Sequence, residues 1–269
     1  MDKGGDDSRP DRSSLRGVDV RRLEGKHALV TGASRGLGAE IARAFASEGA
    51  RVGIVHRASA GDADRLSEEI RSNGGSADVF RADVGDAAQV ARLYEELGTR
   101  WDRLDILVNN AGVTGRPPKG LDAGAWDEVM NANGRGAFLM TQGALPLFAR
   151  NPKGKLLFIS SDVVITGSAR SPPYAASKAA LLGLTKSYAL SLAPHVQVNA
   201  IAPGFLDTPA ILARPDMTPE RIAEIKRATP LGDFTHTSEV AKLAVFLCSD
   251  EAAFMTGEAV LLNGGRVFW

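Results

Sequence analysis

In the pentapeptide YAASK a tyrosine, Tyr174, and a lysine, Lys178, stand four positions apart. On an α-helix, residues i and i+4 share one face, one turn apart, so the phenol and the ammonium of such a pair reach the same space. A cation beside a phenol favours the phenolate, and moving a phenol from about 10 to near 7 takes roughly 4 kcal/mol of differential stabilisation. The chemistry this pair offers is general acid–base transfer at an oxygen atom. Tyr-x-x-x-Lys is also an ordinary helical spacing, with an apolar ring and a solvated charge, so its meaning depends on what accompanies it.

A second stretch, TGASRGLG from Thr31 to Gly38, follows the apolar run HALVTG and opens a helical pattern. Glycines at 32, 36 and 38 let the backbone turn tightly and approach a pyrophosphate, whose charge is favoured by the N–H groups and positive end of the following helix. The spacing Gly-x-x-x-Gly-x-Gly differs from the Gly-x-Gly-x-x-Gly of many dinucleotide enzymes.

The elements that must position these groups are legible as an alternation. HALVTG precedes AEIARAFASEG, RVGIVHR precedes ADRLSEEIRSNG, and DILVNNAG precedes AWDEVMNANGRGAFLMTQGAL. KLLFISS precedes YAASKAALLGLTKSYALSL, VQVNAIAPG precedes TSEVAKLAVFLCSDE, and AVLLNGG closes the chain. Continuously apolar strands, each followed by an amphipathic helix, predict a parallel sheet covered on both faces. The expected fold class is α/β, a Rossmann-type doubly wound parallel sheet in a single domain over residues 25–269. Residues 1–24 are rich in Asp, Arg, Ser and Gly and poor in large apolar groups, which predicts a flexible N-terminal tail.

The 269 residues are 44% hydrophobic and 24% charged, an ordinary globular composition. Thirty-two basic residues balance thirty-two acidic ones, so the broad basic footprint selected by nucleic acid or by anionic membrane is absent. No apolar run approaches the roughly 20 residues a membrane span needs. The single cysteine, Cys248, falls in an apolar helical pattern and permits no intramolecular disulfide, which suits a reducing, cytoplasmic location. Histidines 27, 56, 195 and 236 are scattered without ligand spacing, so no metal is expected.

TGASRGLG, NNAG at 109–112, Ser161, YAASK and APG at 202–204, in this order and at these separations, resemble the short-chain dehydrogenase/reductase family, with a likeness to 3-oxoacyl-carrier-protein reductases. The resemblance covers residues 25–269. It implies that Tyr174 gives its proton to a ketone oxygen as a hydride arrives, or takes it back in reverse. Lys178 would bond the nicotinamide ribose and favour the phenolate. Ser161, thirteen residues before Tyr174, would hold the substrate oxygen, and Ser160 is the alternative. Asn133, in NANGRG, would help hold a proton-relay water; Gly134 stands where the family usually has Leu, which predicts a loosened helix there.

The same resemblance implies cofactor contacts at Gly32, Ser34, Arg35, Gly36, Leu37 and Gly38, at Asp83 and Val84, and at Asn110, Ala111 and Gly112. Tyr174, Lys178, Pro203, Gly204, Leu206 and Thr208 complete the set. NAD-preferring relatives carry an acid at the end of the second strand; here that place is His56, followed by Arg57. With Arg35 as a second cation at the same corner, two guanidiniums suit a 2′-phosphate, so NADP(H) is expected ahead of NAD(H).

Residues 205–234 follow the fifth-repeat strand, beyond the carboxyl edge where open α/β sheets bind ligands, and are expected to form a lid. Phe205, Leu206, Ile211, Leu212 and Met217 are candidates for an apolar wall, and VVITGSARSPP at 163–173 for the opposite rim. Asp162, beside the serine, is a less usual choice able to tune the pocket. The expected activity is NADP(H)-dependent hydride transfer between nicotinamide and a ketone or secondary alcohol, with a 3-oxoacyl thioester or polyketide-type ketone as substrate. A carrier-bound substrate would want a basic surface near the mouth, with Arg150 and Lys153 as candidates. Alternatives are an NAD-dependent alcohol, sugar or steroid dehydrogenase and a non-catalytic NADP(H)-binding sensor. The family resemblance also implies a homo-oligomer, a tetramer or dimer.

Overall fold

Short runs of Val, Leu, Ile and Ala build the centre of the molecule, whose structure is a computed structural model describing residues 21–115, 122–151 and 153–269. The strands are β1 (His27–Thr31), β2 (Arg51–His56), β3 (Ser76–Arg81), β4 (Ile106–Asn109), β5 (Gly154–Ile159), β6 (Val196–Pro203) and β7 (Ala259–Leu262). They form one sheet in the order β3-β2-β1-β4-β5-β6-β7, parallel throughout. This is the doubly wound sheet expected from the sequence. The order reverses between β1 and β4, which is where such sheets bind nucleotides.

Successive strand residues point to opposite faces, and both faces are apolar here. Ala28, Val30, Ile106, Val108, Leu157 and Ile159 join one core, under α1 (Gly36–Ser47), α2 (Ala60–Ser72) and α10 (Thr237–Cys248). Leu29, Leu107, Leu156, Phe158 and Val198 join the other, under α3 (Ala87–Arg100), α5 (Gly136–Phe148) and α7 (Pro172–Leu192). That is why the strands read as unbroken apolar runs.

The stretch AWDEVMNANGRGAFLMTQGAL, one helix by its pattern, is in three parts. α4 (Ala123–Met130) leads through a π-helical turn, Asn131–Arg135, into α5. The expected tail boundary moves as well. Residues 1–20 lie outside the described residues, while Leu23 is fully buried and its N–H donates to the Glu48 carbonyl at 3.0 Å. Arg22 pairs with Glu48, so residues 21–24 belong to the folded domain.

The segment after β6 leaves and returns at one place. Leu206 pairs with Thr235 in an isolated bridge, and Asp207 accepts from Thr237 N–H at 3.0 Å and faces His236 Nδ1 at 2.7 Å. Between these ends lie α8 (Pro209–Leu212) and α9 (Pro219–Arg227), around a small core of Met217, Ile225 and Phe234 against Phe205, Ile211 and Ile222. The segment expected as a lid therefore has a core of its own. Met217 is spent inside it, Leu206 packs on the main core, and of the expected wall residues only Leu212 is exposed. The stretch expected as the opposite rim contains the short helix α6 (Val163–Thr166).

Candidate active site

Pro172 and Pro173 start α7, where a missing N–H costs nothing. This fixes Tyr174 and Lys178 in the first two turns, above the carboxyl ends of β5 and β6. Lys178 is buried, and its ammonium donates to the Ile159 carbonyl at 2.7 Å. It stands 5.7 Å from the centre of the Tyr174 ring. Ser161 stands just past β5, where its Oγ accepts from Val163 N–H at 3.3 Å, and its hydroxyl lies near enough to the Tyr174 phenol to favour the phenolate. Ser160 is turned away: its hydroxyl donates to the Lys178 carbonyl at 2.9 Å, a bond that ties the end of β5 to α7.

The charges differ from the simple expectation of a phenol drawn toward neutrality. Burial raises the Tyr174 phenol to about 12; the Ser161 hydroxyl and Arg214 pull it down, and Asp162 pushes it up. Burial lowers Lys178 to about 8. Desolvation disfavours both charged forms, and at the observed separation the ammonium does not overcome it.

Asn133 sits in the π turn and is 1% exposed. Its side-chain oxygen accepts from Val113 N–H at 2.8 Å, and its amide donates to the Val113 carbonyl and to the Ser177 hydroxyl, both at 2.9 Å. Ser177 in turn donates to the Tyr174 carbonyl at 2.8 Å. The side chain of Asn133 thus clasps the loop after β4 to α7. Ser177 is a member that sequence reasoning passed over, although it stands inside YAASK. A Cβ added to Gly112 would lie 3.0 Å from Asn133 Oδ1 and 3.5 Å from Lys178 Nζ, which brings 112, 133 and 178 to one point.

The nucleotide cradle lies at the switch point. Thr31 Oγ1 accepts from Asn110 and Ala111 N–H, both at 2.9 Å, and the Asn110 amide donates to the Thr31 carbonyl at 2.8 Å. The loop after β4 thereby braces the glycine loop. Gly32 has φ +63°, and a Cβ there would meet Ala111 Cα at 2.9 Å; at Gly38 a Cβ would meet the Gly32 carbonyl at 2.4 Å. Arg35 provides no side-chain cap for α1, so the first-turn N–H groups of Leu37 and Gly38 stay available for an anion. Ser34 flanks this turn, and Thr208 Cγ2 comes within 3.8 Å of a Cβ built on Gly36, so the root of the lid overhangs the loop. Pro203 ends β6 and Gly204 packs closely on Asn263. These features fit a bound pyrophosphate.

At the end of β2, His56 is buried with Nδ1 unpaired among the described residues, and burial lowers its proton affinity. No acid occupies that place. Arg57 is exposed and reaches Asp83 only at 3.5 Å, a weak contact for a surface pair. Asp83 also accepts from Gly85 N–H at 3.0 Å, while Val84 packs under Gly136. An open depression of about 410 Å³ beside the loop is lined by Arg35, Arg43 and Arg65. Arg43 pairs with Glu69 and Arg65 with Asp62, whereas Arg35 has no ion-pair partner among the described residues. Arg81, at the end of β3, adds a third cation to this corner.

Arg150 and Lys153 do not flank the mouth. They precede β5, and the strand's six residues, about 20 Å of extended chain, separate them from Ser161. At the carboxyl edge, on the side of the lid and tail, stand Arg170, Arg214 and Arg266. Arg170 and Arg214 share Asp216, the latter through two bonds of 2.9 and 3.1 Å. Among the described residues, no three His, Cys, Asp or Glu side chains are grouped to hold a metal, and no helix is long and apolar enough to cross a membrane.

A dinucleotide cradle at the switch point and a Ser, Tyr and Lys constellation at the same sheet edge define a nucleotide-dependent oxidoreductase class. A family model described as enoyl-(acyl carrier protein) reductase matches residues 32–266. The 3-oxoacyl-(acyl-carrier-protein) reductase FabG of Thermotoga maritima is 38% identical over 249 residues, 91% of this chain and 99% of that protein. A gluconate 5-dehydrogenase from Burkholderia cenocepacia, solved with NADP and tartrate, superposes with a TM-score of 0.86 at 32% identity, covering 92% of this chain and 97% of that one. A 7α-hydroxysteroid dehydrogenase, solved with NADH and 7-oxoglycochenodeoxycholic acid, gives 0.87 at 32%, covering 93% and 97%. The chain belongs to the short-chain dehydrogenase/reductase family and is an oxidoreductase.

Proposed function

We propose that the protein is an NADP(H)-dependent ketone reductase and alcohol dehydrogenase with Tyr174 as general acid and base. The convergence of Ser161 and Lys178 on Tyr174, beside a glycine loop shaped for a pyrophosphate, carries this reading. A nicotinamide cofactor held there would supply the hydride for the carbonyl carbon and, in the reverse direction, accept it. Ser161 orients the substrate oxygen, and Tyr174 donates its phenolic proton to that oxygen. Lys178 holds the ribose and, as a cation, stabilises the phenolate left behind. Asn133 and Ser177 keep the loop carrying Gly112 against α7.

The loop from Gly32 to Gly38, with Asn110, Ala111 and Gly112, would hold the cofactor, with Leu206 and Thr208 completing the set of contacts. Arg35 and Arg57 take the 2′-phosphate, a reading supported by the neutral His56 where a carboxylate would repel it. NAD(H) is the alternative, since one structural relative was solved with NADH.

For the substrate, the likeness to the Thermotoga maritima reductase supports a 3-oxoacyl thioester or a related ketone. A second reading, an oxo acid or hydroxy acid, is favoured by one observation: two arginines share the single carboxylate of Asp216 at the mouth, an excess positive charge suited to a substrate anion. Enzyme function as a homo-oligomer in the cytoplasm completes the proposal.

The test follows NADPH and NADH consumption across 3-oxoacyl thioesters, sugar acids and oxosteroids, with Tyr174→Phe as control. Turnover is expected to favour NADPH and to fall by about a thousandfold or more in Tyr174→Phe, with nucleotide affinity retained. A Tyr174→Phe protein that turns over at the wild-type rate would sink the assignment. Tight NADPH binding without turnover on any substrate would favour the sensor.

A further inference from the structure

After β7 the chain turns back across the carboxyl edge of the sheet. Gly264 and Gly265 adopt φ of +63° and +82°, conformations that favour glycine. Asn263 locks this turn: its Oδ1 accepts from Gly265 N–H and its amide donates to the Val267 carbonyl, both at 3.0 Å. The turn is tied to the lid by Leu231 N–H, which donates to the Gly264 carbonyl at 3.1 Å. It delivers Arg266 to Asp162, with Nη1 at 2.7 Å from Oδ2, and the carboxylate is buried, 4% exposed. The same guanidinium lies 4.9 Å from the centre of the Phe205 ring.

Asp162 directly follows Ser161. Its N–H donates to the Pro203 carbonyl at 2.9 Å, and its own carbonyl accepts from Ile165 N–H at 3.0 Å. One ion pair therefore joins the serine corner, the first residue of the lid and the C-terminal tail, which are remote in sequence. A buried carboxylate left without its cation is strongly unfavourable, and here it would stand beside the phenol whose proton moves.

We propose that Arg266 is a positioning residue for catalysis: by pairing with Asp162 it holds the Ser161 corner and Phe205 in place and screens the Asp162 charge from Tyr174. This rests on the acid–base role proposed above for Tyr174. The charged groups facing Tyr174 are Asp162 from the corner after β5, Arg214 from the lid and Lys178 from its own helix. Arg266 reaches this set only through Asp162. Removing Arg266 leaves Asp162 uncompensated, which makes the phenolate harder to form.

The experiment compares Arg266→Met, Arg266→Lys, Asp162→Asn and the double variant Asp162→Asn with Arg266→Met. Measured are NADPH dissociation constants by fluorescence, kcat and KM for ketone reduction, and the pH profile of kcat for alcohol oxidation. In Arg266→Met the nucleotide dissociation constant is expected to stay within about twofold, and kcat to fall about tenfold or more. The pH at which the oxidation rate reaches half its maximum should rise by about one, the size of effect an added negative neighbour produces. Arg266→Lys and the double variant should each recover part of the lost kcat and return the profile toward wild type.

An unchanged kcat and profile in Arg266→Met overturns the proposal, and so does a loss of kcat with no pH displacement. If Arg266→Met does not fold, Arg266→Gln takes its place with the same expectations, and an unchanged kcat and profile in that variant overturns the proposal. Tyr174→Phe separates the two failures. Persisting turnover there refutes the acid–base reading, while lost turnover there with an unaltered Arg266→Met refutes only the positioning role.

Discussion

Replacing Lys178 by Met should make the nucleotide-free protein more stable at neutral pH while abolishing turnover. The ammonium is 5% exposed and its described partner is one carbonyl oxygen, that of Ile159. Burial lowers it from 10.5 to about 8, which corresponds to about 3 kcal/mol against the charged form. Methionine lacks that penalty but forfeits the hydrogen bond, about 1 kcal/mol net, so the expected gain at pH 7 is about 2 kcal/mol. The sign over pH follows from proton binding. Between about 8 and 10.5 the unfolded chain keeps this amine protonated and the folded chain does not, so wild-type stability rises with pH through that window. The advantage of Lys178→Met should therefore be largest at or below pH 7 and close to zero by about pH 10. Urea denaturation followed by tryptophan fluorescence, at several pH values and without nucleotide, measures it. A variant no more stable than wild type at pH 7, or a gap that does not vary with pH, would refute the desolvation argument.

Two further substitutions probe the cofactor cradle. Arg57→Ala should weaken NADPH binding by about tenfold to a hundredfold, the worth of a charge-assisted hydrogen bond, and leave NADH binding unchanged; equal losses for both nucleotides in titration calorimetry would dissociate Arg57 from the 2′-phosphate. Gly32→Ala combines a left-handed residue at φ +63° with a contact 2.9 Å from Ala111 Cα, so a stability loss of about 2–5 kcal/mol is expected. Wild-type denaturation and nucleotide affinity in that variant would mean that the cradle is more compliant than its packing indicates.

The sheet was legible because a strand covered on both faces can hold only apolar residues, and that constraint appears directly as runs such as HALV and KLLFI. β3 escaped the same criterion for a physical reason. Its Asp78 is buried, yet it is satisfied by Arg51 at 2.7 Å and Trp101 Nε1 at 2.9 Å, partners contributed by other elements. A polar letter inside a strand then reads as a break. The same limit explains Arg266 and Asp162, which are 104 positions apart, and Ser177, whose neighbours in YAASK drew the attention. Glycine spacing and helical periodicity are local, so the cradle and the Tyr174 and Lys178 face were readable. Which cations reach the mouth depends on the lid and tail, and there Arg150 and Lys153 gave way to Arg170, Arg214 and Arg266.

On the acid–base role proposed for Tyr174, the protonation pattern of the protein by itself favours one half of a reversible reaction. With the phenol raised to about 12, Tyr174 is protonated at any physiological pH and stands ready as a donor, the state that ketone reduction requires. The oxidative direction needs the phenolate, and the chain alone opposes it, because Lys178 spends its charge on the Ile159 carbonyl and Asp162 adds a negative charge nearby. Forming the base therefore depends on charge brought in or reoriented at the site. The groups able to do so are already in position: Lys178 beside Gly112, Arg214 on the lid, and the tail arginine holding Asp162 in check. Under the acid–base role proposed for Tyr174, the fold supplies the acid, and the charges of Lys178, Arg214 and Asp162 around it govern when that acid becomes a base.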